Sequence, residues 1–109
     1  MISPVRLARS LALASALALS AIAAHAAPAA TITIDNFDFS PMTVTVPAGA
    51  AVTWTNNDDI PHAVRAVDGS FRSKALDTGD SFSVTFAKPG TYAYFCSIHP
   101  KMTGKVVVQ

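Results

Sequence analysis

The sequence has one cysteine in 109 residues, Cys96, so no disulfide can form within the chain. A lone cysteine in an exported protein is a reactive thiol, an intermolecular link, a buried apolar side chain or a metal ligand. Charge of one sign is also lacking. Eight Lys and Arg stand against seven Asp and Glu, which leaves no electrostatic footprint for nucleic acid or an anionic membrane surface. Nor is there an apolar run of the roughly 20 residues a spanning helix needs; the run Leu11–Ala24 falls short of that length. Repeats and linkers are absent as well. The chain is therefore one small domain behind a leader, in the size range where a metal or a disulfide often supplements burial.

The first residues have the outline of a secretory leader. Arg6 and Arg9 make a positive start, Leu11–Ala24 an uncharged apolar middle, and Ala24-His25-Ala26 a cleavage site with small residues at the inspected positions. The arginines are not adjacent, which argues against the twin-arginine route, and no cysteine near Ala26 could carry a lipid. Cleavage after Ala26 is expected, separating a leader of residues 1–26 from an exported, periplasmic domain of residues 27–109 that does not insert into the membrane. Loss of Arg6 and Arg9 tips the remaining charge slightly negative, and a monomer is expected from that charge and size.

Apolar residues beyond the leader recur with period two. Ile32 and Ile34 alternate with threonines, as do Val44 and Val46. Val52 and Trp54, then Phe82, Val84 and Phe86, and finally Val106 and Val108 repeat the pattern. Alternation rich in Val, Thr and aromatics indicates half-buried strands. Turn formers separate them at Pro47-Ala48-Gly49, Asn56-Asn57-Asp58-Asp59, Asp68-Gly69, Thr78-Gly79-Asp80 and Lys88-Pro89-Gly90. The fold class expected is all-β, a Greek-key sandwich or barrel of about seven or eight strands. Asp58, Asp59, Asp68, Asp77 and Asp80 read as solvated loop residues and turn formers without chemistry.

Strand direction then brings chemistry to one end. The strand ending near Thr55 and the strand 91–95 that delivers Cys96 finish at the same end, provided that residues 70–79 cross once between the sheets. His62 from the first loop would meet Cys96, His99 and Met102 from the second, and the turn from Asn36 to Pro41 lies at that end too. Individually each residue has a plain structural use. Jointly, Cys-x-x-His-x-x-Met between two strands, with a proline-preceded histidine opening an earlier one, is a donor set. A thiolate and two imidazoles in a trigonal array with a distant thioether is the ligand pattern of mononuclear electron-transfer copper sites, because soft sulfur favours Cu(I) while imidazole also suits Cu(II). Zinc more often takes four strong ligands and seldom methionine. A Cys-His hydrolase would leave His62 and Met102 without a role, and a metal-free interaction module would leave the whole pattern without one.

The stretches V-P-A-G-A-A-V-T-W-T-N (46 to 56), P-H-A-V (61 to 64) and P-G-T-Y-A-Y-F-C-S-I-H-P-K-M-T-G-K-V-V-V (89 to 108) resemble the cupredoxins, the type I blue copper proteins, and among them the amicyanin-like members. The short Cys-x-x-His-x-x-Met loop is of the amicyanin type; plastocyanin and pseudoazurin have longer ones. The resemblance implies a cupredoxin-like domain binding one type I copper ion, with His62, Cys96 and His99 equatorial and Met102 axial. It also implies a small exported electron carrier rather than an enzyme. A periplasmic copper-binding or delivery protein using the same ligands is the alternative. Ala63 stands where many members have an Asn that ties the two ligand loops, although its backbone N–H remains free to donate to the Cys96 sulfur. Lys101 stands where amicyanin has an aromatic residue. Transient redox partners would dock near Ile60, Pro61, Ile98, His99 and Pro100, an apolar patch with a basic edge, over an interface under about 1,200 Å².

Overall fold

The computed structural model describes Ala27 and residues 29–109; the expected leader lies outside the described residues. Eight strands are present: β1 (Ala30–Asp35), β2 (Asp38–Ser40), β3 (Thr43–Val46), β4 (Ala50–Asn56), β5 (Arg65–Ala66), β6 (Ser81–Phe86), β7 (Gly90–Phe95) and β8 (Thr103–Val108). They form two four-stranded sheets, in the orders β2-β1-β4-β6 and β3-β8-β7-β5. β1 with β4 and β3 with β8 are parallel, and the remaining pairs are antiparallel. From β2 through β7 every connection passes from one sheet to the other, β3 to β4 through the Pro47–Gly49 turn. This is the expected all-β Greek-key sandwich. Among the described residues no helix is long and apolar enough to cross a membrane.

Alternation sets the register. Ile32, Ile34, Val52, Trp54, Val106 and Val108 point inward and are buried, while Thr53 and Thr55 face outward and pair with Ser83 and Ser81 at 2.6 and 2.9 Å between hydroxyls. A one-residue slip would move all these apolar side chains to the solvent side, so the burial itself specifies the pairing. Trp54 lies at the centre of the core, 5.3 Å edge-on to Tyr94, and Phe39 packs 4.8 Å from the other side of Tyr94. Each such side chain contributes about 1.5–3 kcal/mol by leaving water.

Two stretches differ from the expectation. The strand expected to open at the proline-preceded His62 is reduced to Arg65–Ala66. Pro61 offers no N–H to a ladder, and the His62 N–H and C=O bond Leu76 at 3.1 and 2.7 Å instead. Residues 72–76 thus run antiparallel to 62–65 through the bridges His62 to Leu76 and Arg65 to Arg72, which is the single return crossing the reading required. The second difference is β2, three residues long, inside what reads as a turn from Asn36 to Pro41. Asn36 and Phe37 adopt φ of 49° and 59°, so a tight hairpin forms there and folds Asp38–Ser40 back onto β1.

Candidate metal centre

Three loops meet at the end of the sandwich where β1, β4 and β7 finish. β4 leads into residues 57–61 and delivers His62; β7 delivers Cys96 and then the loop carrying His99 and Met102; the β1–β2 turn brings Phe37 over them. His62 and Cys96 are completely buried, Met102 is buried, and His99 is half-buried. The ligand atoms of His62, Cys96 and His99 all lie within 4.8 Å of one another. Cys96 Sγ stands 3.7 Å from His62 Nδ1 and 3.9 Å from His99 Nδ1. Two donors about 2.0 and 2.3 Å from one ion and about 120° apart are separated by roughly 3.7 Å, so this spacing fits a single ion among the three. The Ala63 N–H donates to Cys96 Sγ at 3.3 Å.

The second loop is shaped by its own backbone. Cys96 N–H donates to the Met102 carbonyl at 3.0 Å and Met102 N–H to the His99 carbonyl at 2.9 Å. The chain therefore turns tightly between two strands, keeping Cys96, His99 and Met102 on one short arc. Every residue of the expected donor set is at this end, and the backbone donor expected at Ala63 is present.

The first loop is held by residues that carry no signal in the sequence. Asn56, fully buried, donates from Nδ2 to the carbonyls of Ile60 and Leu76 at 2.9 and 2.8 Å and accepts the Asp58 N–H at 2.9 Å. Its side chain thus satisfies three backbone groups of a buried turn. Asp58 is not a solvated turn former. It is 7% exposed, and its Oδ2 lies 2.9 Å from His62 Nε2 and accepts the Phe37 N–H at 3.1 Å. Its Oδ1 accepts the Asp59 N–H at 3.0 Å. The bond from His62, then that from Phe37, holds the carboxyl down at about 2, against 3.8 ordinarily. The Phe37 ring stands edge-on to both imidazoles, 5.7 Å from His62 and 5.2 Å from His99.

Beside the buried donors, Phe37, Ile98, His99, Pro100, Lys101 and Met102 line a shallow groove of about 460 Å³. Ile98 and Phe37 are exposed to 46% and 50%, so the apolar surface beside His99 is real. Ile60 and Pro61 do not line it; Phe37 takes that side.

A two-sheet sandwich with a buried cysteine sulfur and two converging imidazoles at one end, and a methionine closing the loop, belongs to the class of small mononuclear metal proteins of the electron-transfer type. The model of the cupredoxin-like domain matches residues 8–108. Amicyanin-alpha of Methylorubrum extorquens is 40% identical over 97 residues, covering 84% of this chain and 82% of its own. Two solved structures match the fold. A purple cupredoxin from Nitrosopumilus maritimus superposes with a TM-score of 0.69 at 39% identity, over 73% of this chain and 99% of that one. A mutant of amicyanin in its Cu(I) form superposes with a TM-score of 0.71 at 32% identity, over 74% of this chain and 82% of that one. The chain belongs to the cupredoxin family, and within it is amicyanin-like. The cofactor is one type I copper ion, which the donor chemistry and spacing fit.

Proposed function

We propose that this protein is an exported electron carrier: residues 1–26 are removed, and the domain of residues 27–109 would hold copper through His62, Cys96, His99 and Met102. The observation that carries this reading is the gradient of exposure across the donors. His62 and Cys96 are sealed in the sandwich, whereas His99 is half-buried beside an open apolar groove. Copper, when bound, supplies the one-electron Cu(II)/Cu(I) couple. The chain does the rest. The bridge to Leu76 fixes the position of His62 and the end of β7 that of Cys96, so the donor array changes little between oxidation states; Phe37 and the buried loop keep water off the cysteine sulfur. The His99 ring edge is the route by which an electron leaves, toward a partner seated on Phe37, Ile98 and Pro100.

Lys101, exposed at the rim of that groove, adds a positive edge, which gives association rates that fall with salt if the partner carries carboxylates there. Copper delivery is the second reading, favoured by Ala63 in place of an Asn between the ligand loops. Stopped-flow mixing of the reduced copper protein with an oxidised small redox protein separates the two. A carrier transfers its electron and retains its metal, while a delivery protein loses copper to a competing apoprotein and transfers electrons slowly. Electron transfer too slow to follow by stopped-flow, together with copper loss on mixing, would reject the carrier reading.

A further inference from the structure

Asp58 carries a charge beside a donor without being one. An ionised carboxylate only accepts hydrogen bonds, so its 2.9 Å contact with His62 Nε2 places the ring proton on that nitrogen. The lone pair is then on Nδ1, the atom that faces Cys96 Sγ at 3.7 Å. The carboxylate is itself fixed, because Phe37 and Asp59 N–H groups hold its two oxygens at 3.1 and 3.0 Å. With the Asp58 side chain only 9% exposed, water screens its charge poorly.

From this geometry we infer that Asp58 is a positioning residue that sets the tautomer of His62 and holds the reduction potential of the site down. The inference rests on the copper reading above. A carboxylate hydrogen-bonded to the far nitrogen of a ligand imidazole raises the basicity of the near one. It also adds a second negative charge beside the Cys96 thiolate. Thiolate and carboxylate together balance Cu(II) but leave a net negative charge with Cu(I), so removal of the carboxylate relieves the reduced state more than the oxidised one.

The test compares Asp58→Asn, which keeps an oxygen for His62 but no charge, with Asp58→Ala, which keeps neither. Outer-shell partners of this kind change metal affinity by about 10–100-fold. Cu(II) affinity is expected to fall about tenfold more than Cu(I) affinity in Asp58→Ala, a rise in potential of about 59 mV; Asp58→Asn shows a rise of the same sign. A readout independent of copper is the His62 ring N–H proton in the apoprotein by NMR. Wild type and Asp58→Asn show it protected from exchange, and Asp58→Ala loses that protection. An unchanged potential in a folded, copper-loaded Asp58→Asn overturns the inference, as does an unprotected ring N–H in wild type. A wild-type protein without a thiolate-to-copper band, but with the protected ring N–H, would instead overturn the copper reading and leave the tautomer assignment standing.

Discussion

Gly104→Ala should be among the most destabilising single-methyl changes in this chain. Gly104 lies directly across from Tyr94 in the β7–β8 ladder, and a Cβ built on it would overlap the Tyr94 hydroxyl and the adjoining ring carbons. Its own backbone is not in the left-handed region, so crowding alone decides the outcome. The far end of a side chain can often move away, but this one is 1% exposed and clamped between Phe39 and Trp54 at 4.8 and 5.3 Å. Expelling the ring would forfeit about 3–5 kcal/mol, the usual cost of deleting a buried aromatic. Absorbing the methyl by strain costs about 1–3 kcal/mol. The cheaper route wins, giving an expected loss of about 3 kcal/mol in urea unfolding of the apoprotein, with m unchanged.

The same substitution made in a Tyr94→Ala background has no ring to meet. There alanine should be more stable than glycine by about 0.5–1 kcal/mol, the ordinary strand preference, so the effect changes sign and the coupling between the two sites is about 4 kcal/mol. An equal cost in both backgrounds would refute the reasoning, since it would place the damage in the backbone rather than in the contact.

Asn56→Ala removes three hydrogen bonds, leaves the Ile60 carbonyl and the Asp58 N–H without their partner and leaves the Leu76 carbonyl with the His62 N–H alone, so a loss of about 3 kcal/mol is expected; thermal unfolding of the apoprotein measures it, and a loss below about 1 kcal/mol would show that water replaces the amide. Tyr94 is pushed up to about 12 by burial, from 10.0 ordinarily. Its native state holds the proton that the unfolded chain releases, so this contribution to stability is intact below about pH 10 and disappears as pH rises toward 12. Stability measured across that window should fall less steeply in Tyr94→Phe, and parallel curves would count against the assignment. Lys101→Glu reverses the charge at the rim of the groove; electron transfer to a partner with an acidic rim should slow by about tenfold at low salt and by little at high salt, whereas a salt-independent effect would place Lys101 outside the encounter surface.

The longer strands were legible because β1, β3, β4, β6 and β8 carry alternating residues whose inward members, such as Ile32, Val52, Trp54 and Val106, are apolar. The donor set was legible because Cys96, His99 and Met102 sit on one short loop, and Pro61-His62 announces the other. What holds the donors was not. Asn56 and Asp58 lie in a run of Asn and Asp that any exposed turn would favour, and only their burial against Leu76 and His62 distinguishes them. Phe37 reaches the imidazoles because two consecutive residues adopt positive φ, a hairpin geometry that Asn36 permits but Phe37 does not advertise. β2 is too short to show a period, and β5 is shortened by the bridges from His62 to Leu76 and from Arg65 to Arg72. These misses rest on backbone conformation and burial, which alternation of residue type does not encode.

The central claim, that Cys96 is a copper thiolate, is tested most directly by the visible spectrum of the Cu(II)-loaded protein beside that of Cys96→Ser. The account predicts an intense visible band in wild type that bleaches with ascorbate and returns on reoxidation, and no such band in the variant. A colourless wild-type protein with stoichiometric Cu(II) bound, or a band that survives in Cys96→Ser, would contradict it.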